Sequence, residues 1–333
     1  METPNHCYYG VVKKVLSLAG QWPYQKQKTK LICLSIVTLS IFSLFIPQIA
    51  RLVECHGDLQ CIFQTMAAYM LTTVALVKLY TCNLNQCKIK VLIDWLFVEW
   101  DELETPEECE IMRRYAETSR RYALRYSSWE IAVIGIVAHD CILLTYIEHL
   151  CSIFTLVGFR FERLMRDNAT KTLHSNASDV YRKRIAFFVY THRKALKFAQ
   201  LIEDTFSLTL GIQIILNTAM ISITLLQITQ QNAHVLVVLR YVFYVLSQLI
   251  HLFCLSFEGQ KLIDHSLQTR DKIYNSLWYE TSPKLQKMLL FIMQKTLQPI
   301  FFSACKIYIF SLENFTTVVQ TSMSYFTVLE TLE

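Results

Sequence analysis

Four long stretches of the 333-residue chain are apolar and almost free of charged side chains. They cover residues 31–50, 59–77, 205–229 and 241–257, and the last extends back to residue 235 if Arg240 is included. A helix rises about 1.5 Å per residue, so a bilayer core of about 30 Å requires about 20 apolar residues. These lengths predict membrane-spanning α-helices. With only 7 Gly and 6 Pro in the chain, uninterrupted helices are favoured over a barrel or a loop-rich fold.

Two further stretches are long enough to span a membrane but carry charged residues. Residues 131–159 contain His139, Asp140, Glu148 and His149, and the C-terminal segment is interrupted by Lys306 and Glu313. The sequence therefore predicts one all-α polytopic domain over residues 1–333, with six visible spans. These cover about 31–50, 59–81, 131–159, 205–229, 235–257 and 307–329.

The Lys and Arg residues of the connecting segments predict the orientation, because cytoplasmic loops are enriched in them. Five Lys residues precede the first span, seven basic residues lie in 82–130, ten in 160–204 and six in 261–298. The connections 51–58 and 230–234 carry one and none, and 330–333 carries none. We therefore expect a cytoplasmic N-terminus, an extracellular C-terminus and cytoplasmic helices over about 160–204 and 259–298.

One part of this topology does not alternate. Two strongly basic segments flank residues 131–159, and a single crossing cannot join two cytoplasmic segments. Residues 112–126 are too charged to supply a second crossing. Either 131–159 is re-entrant or a helix is missing from this chain. We interpret Glu148 and His149 as the cytoplasmic end of this stretch, whereas Asp140 lies deeper, where ionised groups usually face a bundle interior.

The sequence contains no recognisable catalytic or cofactor motif. It lacks a Gly-rich phosphate loop, a nucleophile elbow, HExxH and CxxC, and its 11 cysteines show no metal-ligand spacing. We therefore expect neither an enzyme nor a cofactor. Cys55 and Cys61 flank a short extracytoplasmic loop, where they either pair or stay reduced. Asn168 and Asn176 head glycosylation sequons that the charge pattern places in the cytoplasm, where they stay unmodified.

The basic segment 160–197 has two interpretations. Its charges suit a nucleic-acid or lipid patch, but the interleaved Phe187, Phe188 and Phe198 favour solvated helices that continue from the membrane. We expect a lipid membrane and no nucleic acid as partner.

The C-terminal third resembles the insect odorant receptor family. The similarity rests on an ordered set of residues following the span at 240–257: Glu258-Gly259-Gln260, Tyr274, Trp278-Tyr279, Lys284, Pro299 and the final Ser322–Leu329. Glu148-His149-Leu150-Cys151, with Arg160 and Leu164, is similar to the end of that family's fourth helix. The resemblance implies seven helices with a cytoplasmic N-terminus and an external C-terminus. The third helix is then the one absent here.

The resemblance also implies a function. Such a protein is an odorant receptor subunit that binds volatile small molecules and gates a non-selective cation channel in a heterotetramer with a coreceptor. It lies in the plasma membrane of a sensory neuron dendrite. The alternatives are a truncated or degenerate polypeptide that does not conduct, and a gustatory-type receptor of the same superfamily. A solute transporter is disfavoured because inverted repeats and broken helices are not seen.

The resemblance further assigns candidate site residues. The ligand would lie among the outer halves of the second to sixth helices, against Met66, Tyr69, Met70, Ile136, Asp140, Gln213 and Asn217. Close helix packing is the alternative role for each of them. The pore and gate would be lined by Thr321, Ser324, Tyr325, Val328 and Glu330. Val328 would form the gate, and Glu330 would favour cations at the outer mouth.

Overall fold

The fold was determined as a computed structural model. It describes residues 5–129, 134–170, 177–230, 235–276, 278–280 and 283–332. The start of the predicted third span, at 130–133, lies outside the described residues, as does most of the predicted external connection, at 231–234.

The chain folds into ten α-helices and one two-stranded hairpin within these described ranges. The helices are α1 (Asn5–Leu18), α2 (Gln27–Glu54), α3 (Leu59–Leu84), α4 (Gln86–Asp101), α5 (Pro106–Trp129), α6 (Ile134–Thr170), α7 (Ala177–Gln230), α8 (Val235–Tyr274), α9 (Pro283–Lys295) and α10 (Leu312–Leu332). Strands β1 (Ser303–Ala304) and β2 (Tyr308–Ile309) pair antiparallel just before α10. An all-α bundle is thus confirmed.

Five helices of the described chain are long and apolar enough to cross a membrane: α2, α3, α6, α7 and α8. The 21 residues of α10 also exceed the length of a bilayer core. Helix α7 has 54 residues and α8 has 40, which corresponds to about 81 and 60 Å. Both helices therefore extend well beyond a bilayer core of about 30 Å. They run antiparallel, since Gln213 contacts His251 and Met220 contacts Tyr244.

The polar halves of these two helices consequently project from the same side of the bundle. This continuity differs from the sequence prediction, which divided 160–204 from the span at 205–229, because no helix-breaking residue interrupts α7 at that point.

Helix α6 forms the centre of the molecule. Its apolar window is 89% buried, whereas only 11% of the window of α8 is buried. It packs against α1, α3, α5, α7 and α8. A helix that is buried on nearly all sides is expected to be largely apolar, and its few polar residues then need partners on the neighbouring helices.

Helix α5 runs antiparallel along α6, and together they form a hairpin. Ser119 Oγ donates to Thr145 Oγ1 at 2.8 Å, and Arg160 Nε donates to Glu108 Oε1 at 2.8 Å. The buried side of α5 consists of residues three and four apart, namely Glu108, Met112, Ala116, Ser119 and Ala123. The opposite side carries exposed arginines. Helix α5 is therefore amphipathic: it runs away from the polar side of the bundle, and α6 returns the chain to that side.

The crossing at 131–159 stays a prediction, and the packing shows what its second half contacts. Glu148 of α6 contacts Lys261, which lies beyond the uncharged stretch 241–257 of α8. The second half of the predicted crossing therefore faces the polar extension of α8 and not its membrane segment. The interpretation of Glu148 as the cytoplasmic end of this stretch stays a prediction, which the contact with Lys261 supports. The absence of a third membrane helix stays a prediction, because the hairpin tip is outside the described residues.

The segment before α10 also differs from the prediction of a span at 307–329. Helix α10 begins at Leu312, after the turn of the β-hairpin, in which Cys305 and Lys306 have positive φ angles. Cys305 N donates to Ser207 Oγ at 2.7 Å, which anchors the turn to α7. At the other end of the bundle a disulfide joins Cys55 and Cys61, the pairing alternative considered from the sequence.

Candidate functional site

A fully buried ion pair lies where α3, α6, α7 and α8 meet. Lys78 Nζ of α3 lies 2.7 Å from both carboxylate oxygens of Asp140 of α6, and neither residue is accessible to solvent. His139 Nδ1 is 3.1 Å from Asp140 Oδ1, and His251 Nε2 of α8 is 3.7 Å from Asp140 Oδ2. Gln213 Nε2 of α7 lies 2.6 Å from His251 Nε2.

These contacts connect four helices through polar groups in an apolar bundle. An ionised side chain in such a place is stable only with a partner, because moving it out of water is expensive. The Lys78 ammonium is that partner for Asp140. The predicted site residues Asp140 and Gln213 are thus brought together, with His251 between them.

Sequence reasoning missed Lys78 and His251 as members of this cluster. Lys78 directly follows the uncharged stretch 59–77 and therefore looked like the end of a span. One signal could have identified Lys78: an intramembrane acid such as Asp140 usually pairs with a basic residue on a neighbouring helix.

The other predicted ligand residues lie at two levels of the bundle. Ile136 belongs to a small apolar cluster with Ile41, Ala75 and Leu79. Asn217 is buried one helical turn from Gln213. Met66, Tyr69 and Met70 are half-buried on α3, at least eight residues and so about 12 Å along the helix from Lys78. The ring of Tyr69 packs edge-on against Phe45, with centroids 5.1 Å apart.

All five predicted pore residues are exposed on α10: Thr321, Ser324, Tyr325, Val328 and Glu330. Val318 and Ser322 are buried, and Ser222 Oγ of α7 donates to Ser322 O at 2.9 Å. One side of α10 thus packs on its own bundle, and a side bearing hydroxyl groups points away from it.

Two further ion-pair groups lie on the polar side of the bundle. Arg160 contacts both carboxylate oxygens of Glu108 at 2.8 Å. Burial alone would raise the pKa of Glu108, but the Arg160 hydrogen bonds and the Glu104 backbone N–H lower it overall. Lys194 Nζ lies 2.8 Å from Glu99 and 2.9 Å from Glu102. Burial raises the pKa of Glu99, and Lys194 offsets this only in part.

A metal centre is not indicated. Within the residues that the structure describes, no group of three or more His, Cys, Asp or Glu side chains is arranged to hold a metal ion.

Comparison with known proteins identifies relatives of the chain. The family model described as 7tm Odorant receptor matches residues 128–323. Odorant receptor 13a of Drosophila melanogaster is 26% identical over 228 residues, which cover 64% of this chain and 54% of the relative. The odorant receptor coreceptor of the same species is 26% identical over 155 residues, covering 46% of this chain and 31% of the coreceptor. The chain spans about half the length of the first of these curated relatives.

The fold is similar to a solved structure of insect olfactory receptor OR5 from Machilis hrabei in complex with eugenol. The TM-score is 0.79 at 11% identity, and the alignment covers 98% of both chains. The family model covers more than half of this chain and describes odorant receptors, which confirms that the chain is not an enzyme. It also favours the odorant receptor family over the gustatory-type alternative. The apolar helices and the matching family model together show a multi-pass membrane protein. The chain belongs to the 7tm Odorant receptor family.

Proposed function

We propose that this chain is an odorant-binding subunit of a non-selective cation channel, assembled with a coreceptor in a heterotetramer of the plasma membrane. Family membership supports the receptor class, and similarity to the coreceptor supports a shared mode of assembly. The N-terminus is cytoplasmic and the C-terminus extracellular, as the distribution of basic residues predicts.

The exposed side of α10 is the observation that carries this proposal. The side chains of Thr317, Thr321 and Ser324 point away from the bundle, and their hydroxyl groups donate to carbonyl oxygens of α10 itself. A face of small hydroxylated residues suits a wet path or close packing against another subunit. Val328 lies on the same exposed side, 54% accessible. Four such helices around one axis would form a pore with a valine ring that closes by dewetting. Glu330 would then attract cations at the outer end.

The ligand site of this proposal lies between α3, α6, α7 and α8. Met66, Tyr69, Met70 and Ile136 supply adaptable apolar contacts. Gln213 supports a directed polar contact, because its Oε1 accepts no hydrogen bond within the described part of the chain. Asn217 lies one turn further along the same helix. Asp140 lies at one end of the site, where it pairs with Lys78.

A second candidate is a receptor polypeptide that reaches the membrane but does not conduct. One observation favours it: the described part of α6 begins at Ile134, and Ile136 already packs at the level of Leu79, near the polar end of α3. The outer part of a ligand site would then lack the wall that a longer fourth helix provides.

Co-expression with a coreceptor separates the two candidates. Odorant-evoked cation currents are expected if the first is correct, whereas normal surface delivery without current favours the second. Val328→Ala is expected to raise the basal current by weakening the hydrophobic ring. The matched control is Val319→Ala, nine residues away and therefore on the opposite side of the helix, which should leave the basal current unchanged. Equal currents in both variants would contradict the assignment of the gate.

A further inference from the structure

A groove of about 590 Å³ lies between α4 and the first half of α7, away from the bundle core. Its wall is apolar and aromatic, formed by Trp95 and Val98 of α4 and by Val189 and Tyr190 of α7. Trp95 is held in place by stacking on Phe198, with ring centroids 6.0 Å apart. The volume is within the range of sites that bind small molecules.

The charge on the rim of this groove is positive. Lys194 lies 2.8 and 2.9 Å from the carboxylates of Glu99 and Glu102, and Glu102 also lines the groove. Arg193 and Lys197 lie on the same helix and are exposed. Within the described residues, neither forms an ion pair with a carboxylate. The charged lining residues Glu102, Arg193, Lys194 and Lys197 therefore carry a formal net charge of +2 (three positive, one negative) beside an aromatic wall.

The groove lies close to the membrane on its basic side. Lys88 Nζ of α4 donates to Asp204 O at 2.9 Å, directly before the apolar stretch 205–229 of α7. Lys197 precedes Asp204 by seven residues, which is about 10 Å along the helix. The side chains of Lys and Arg extend back toward a membrane surface when placed near it. A negatively charged group at the lipid surface is thus within reach.

We propose that this groove binds the multiply phosphorylated headgroup of an inner-leaflet phospholipid. Arg193 and Lys197 pair with its phosphate groups, since Arg presents a fork of donors and Lys a point charge. Tyr190 and Trp95 provide the amphipathic surface typical of residues at a membrane interface. The proposal uses the cytoplasmic placement of the first half of α7. It is independent of odorant gating, so either can fail without the other.

Binding to the purified full-length chain in detergent tests the proposal. Short-chain phosphatidylinositol bisphosphate is titrated and bound lipid is counted by native mass spectrometry. We expect Arg193→Gln combined with Lys197→Gln to weaken binding about 30-fold, because one basic residue near a headgroup contributes a factor of about five. Val98→Glu should also weaken binding, by placing a negative charge in the wall. The matched control, Lys26→Gln with Lys28→Gln, removes two exposed cations elsewhere on the same side and should change affinity less than twofold.

Three results would overturn the proposal. Unchanged binding in the Arg193 and Lys197 double variant would remove the site from this groove. An equal loss of affinity in the Lys26 and Lys28 control would show that binding depends on the overall positive charge and not on this groove. Free inositol trisphosphate binding as tightly as the lipid would assign the groove to a soluble ligand. All of the substituted residues are exposed, so an unchanged elution volume in size-exclusion chromatography verifies that each variant is folded.

Discussion

The Lys78–Asp140 ion pair joins two helices inside the bundle, and its charges have no access to solvent. Removing one partner of such a pair leaves an unpaired buried charge and costs about 3–5 kcal/mol. We therefore expect Lys78→Met and Asp140→Asn each to lower the thermal unfolding midpoint of the protein in nanodiscs. Lys78→Met combined with Asp140→Leu should recover most of the loss, because both charges are then gone. Additive losses in the double variant would show that the two side chains do not act as a pair.

Two acidic residues on the polar side of the bundle are expected to respond to pH with opposite signs. Hydrogen bonds from Arg160 and Glu104 outweigh burial and lower the pKa of Glu108 below its ordinary 4.5, so its stabilisation is present above that value and is lost as pH falls. Burial raises the pKa of Glu99, so its folded form favours the proton and stability is lost as pH rises from 4.5 through the raised pKa.

Unfolding midpoints measured between pH 4 and pH 7 check these signs. Glu108→Gln should remove part of the gain in stability with rising pH and cost about 1.5–3 kcal/mol at neutral pH, the range for a hydrogen bond to a charged group. Glu99→Gln removes a group whose titration lowers stability as pH rises, so the stability of this variant should increase more steeply with pH. Two profiles that change in the same direction would show that one of the assigned pKa shifts has the wrong sign.

At the scale of elements, Gly259 allows the segment before α10 to dock on α8. A Cβ atom at this position would clash with the carbonyl oxygen of Phe310, so Ala requires the backbone to shift. Overpacking of this kind costs about 1–3 kcal/mol. We expect Gly259→Ala to lower the unfolding midpoint. Gly10→Ala is the matched control: it lies in α1 with no atom within 4 Å of the added Cβ, and it should stabilise the protein by up to about 1 kcal/mol. A stabilising Gly259→Ala would contradict the close docking.

The elements show which parts of the fold were predictable from the sequence. Apolar length alone located α2, α3, α7 and α8, because a helix of at least 17 apolar residues has few other stable environments. It also indicated α6, but not that α6 lies at the buried centre of the bundle. The start of α10 was missed because a β-hairpin of two residue pairs leaves no periodic pattern.

The candidate site was predictable only in part for a related reason. Asp140 was recognisable as an intramembrane charge, but its partner Lys78 is 62 positions away in the sequence. The contact between them depends on how α3 and α6 pack, which hydropathy does not encode. The exposed side of α10 was easier to predict, because it follows the helical repeat within a single segment.

For the molecule as a whole, the α5–α6 hairpin explains why two basic segments flank one long apolar helix. Helix α5 leaves the polar side and α6 returns to it, so the C-terminal end of α4 and the first half of α7 lie together, as the Lys194 contacts with Glu99 and Glu102 show. The charge pattern and the packing agree without requiring a lipid-exposed crossing between them.

This arrangement predicts a topology that intact cells can test. An epitope tag after residue 333 should be reached by antibody from outside, because the last segment carries no basic residue. A tag inserted between residues 182 and 197 should be reached only after permeabilisation, and Asn168 should carry no glycan, since the oligosaccharide is added on the opposite side of the membrane. Glycosidase treatment provides the second measurement on the same cells. A glycosidase-sensitive mass at Asn168, or surface labelling of the inserted tag, would place the first half of α7 outside and would move the cation-rimmed groove away from the inner leaflet.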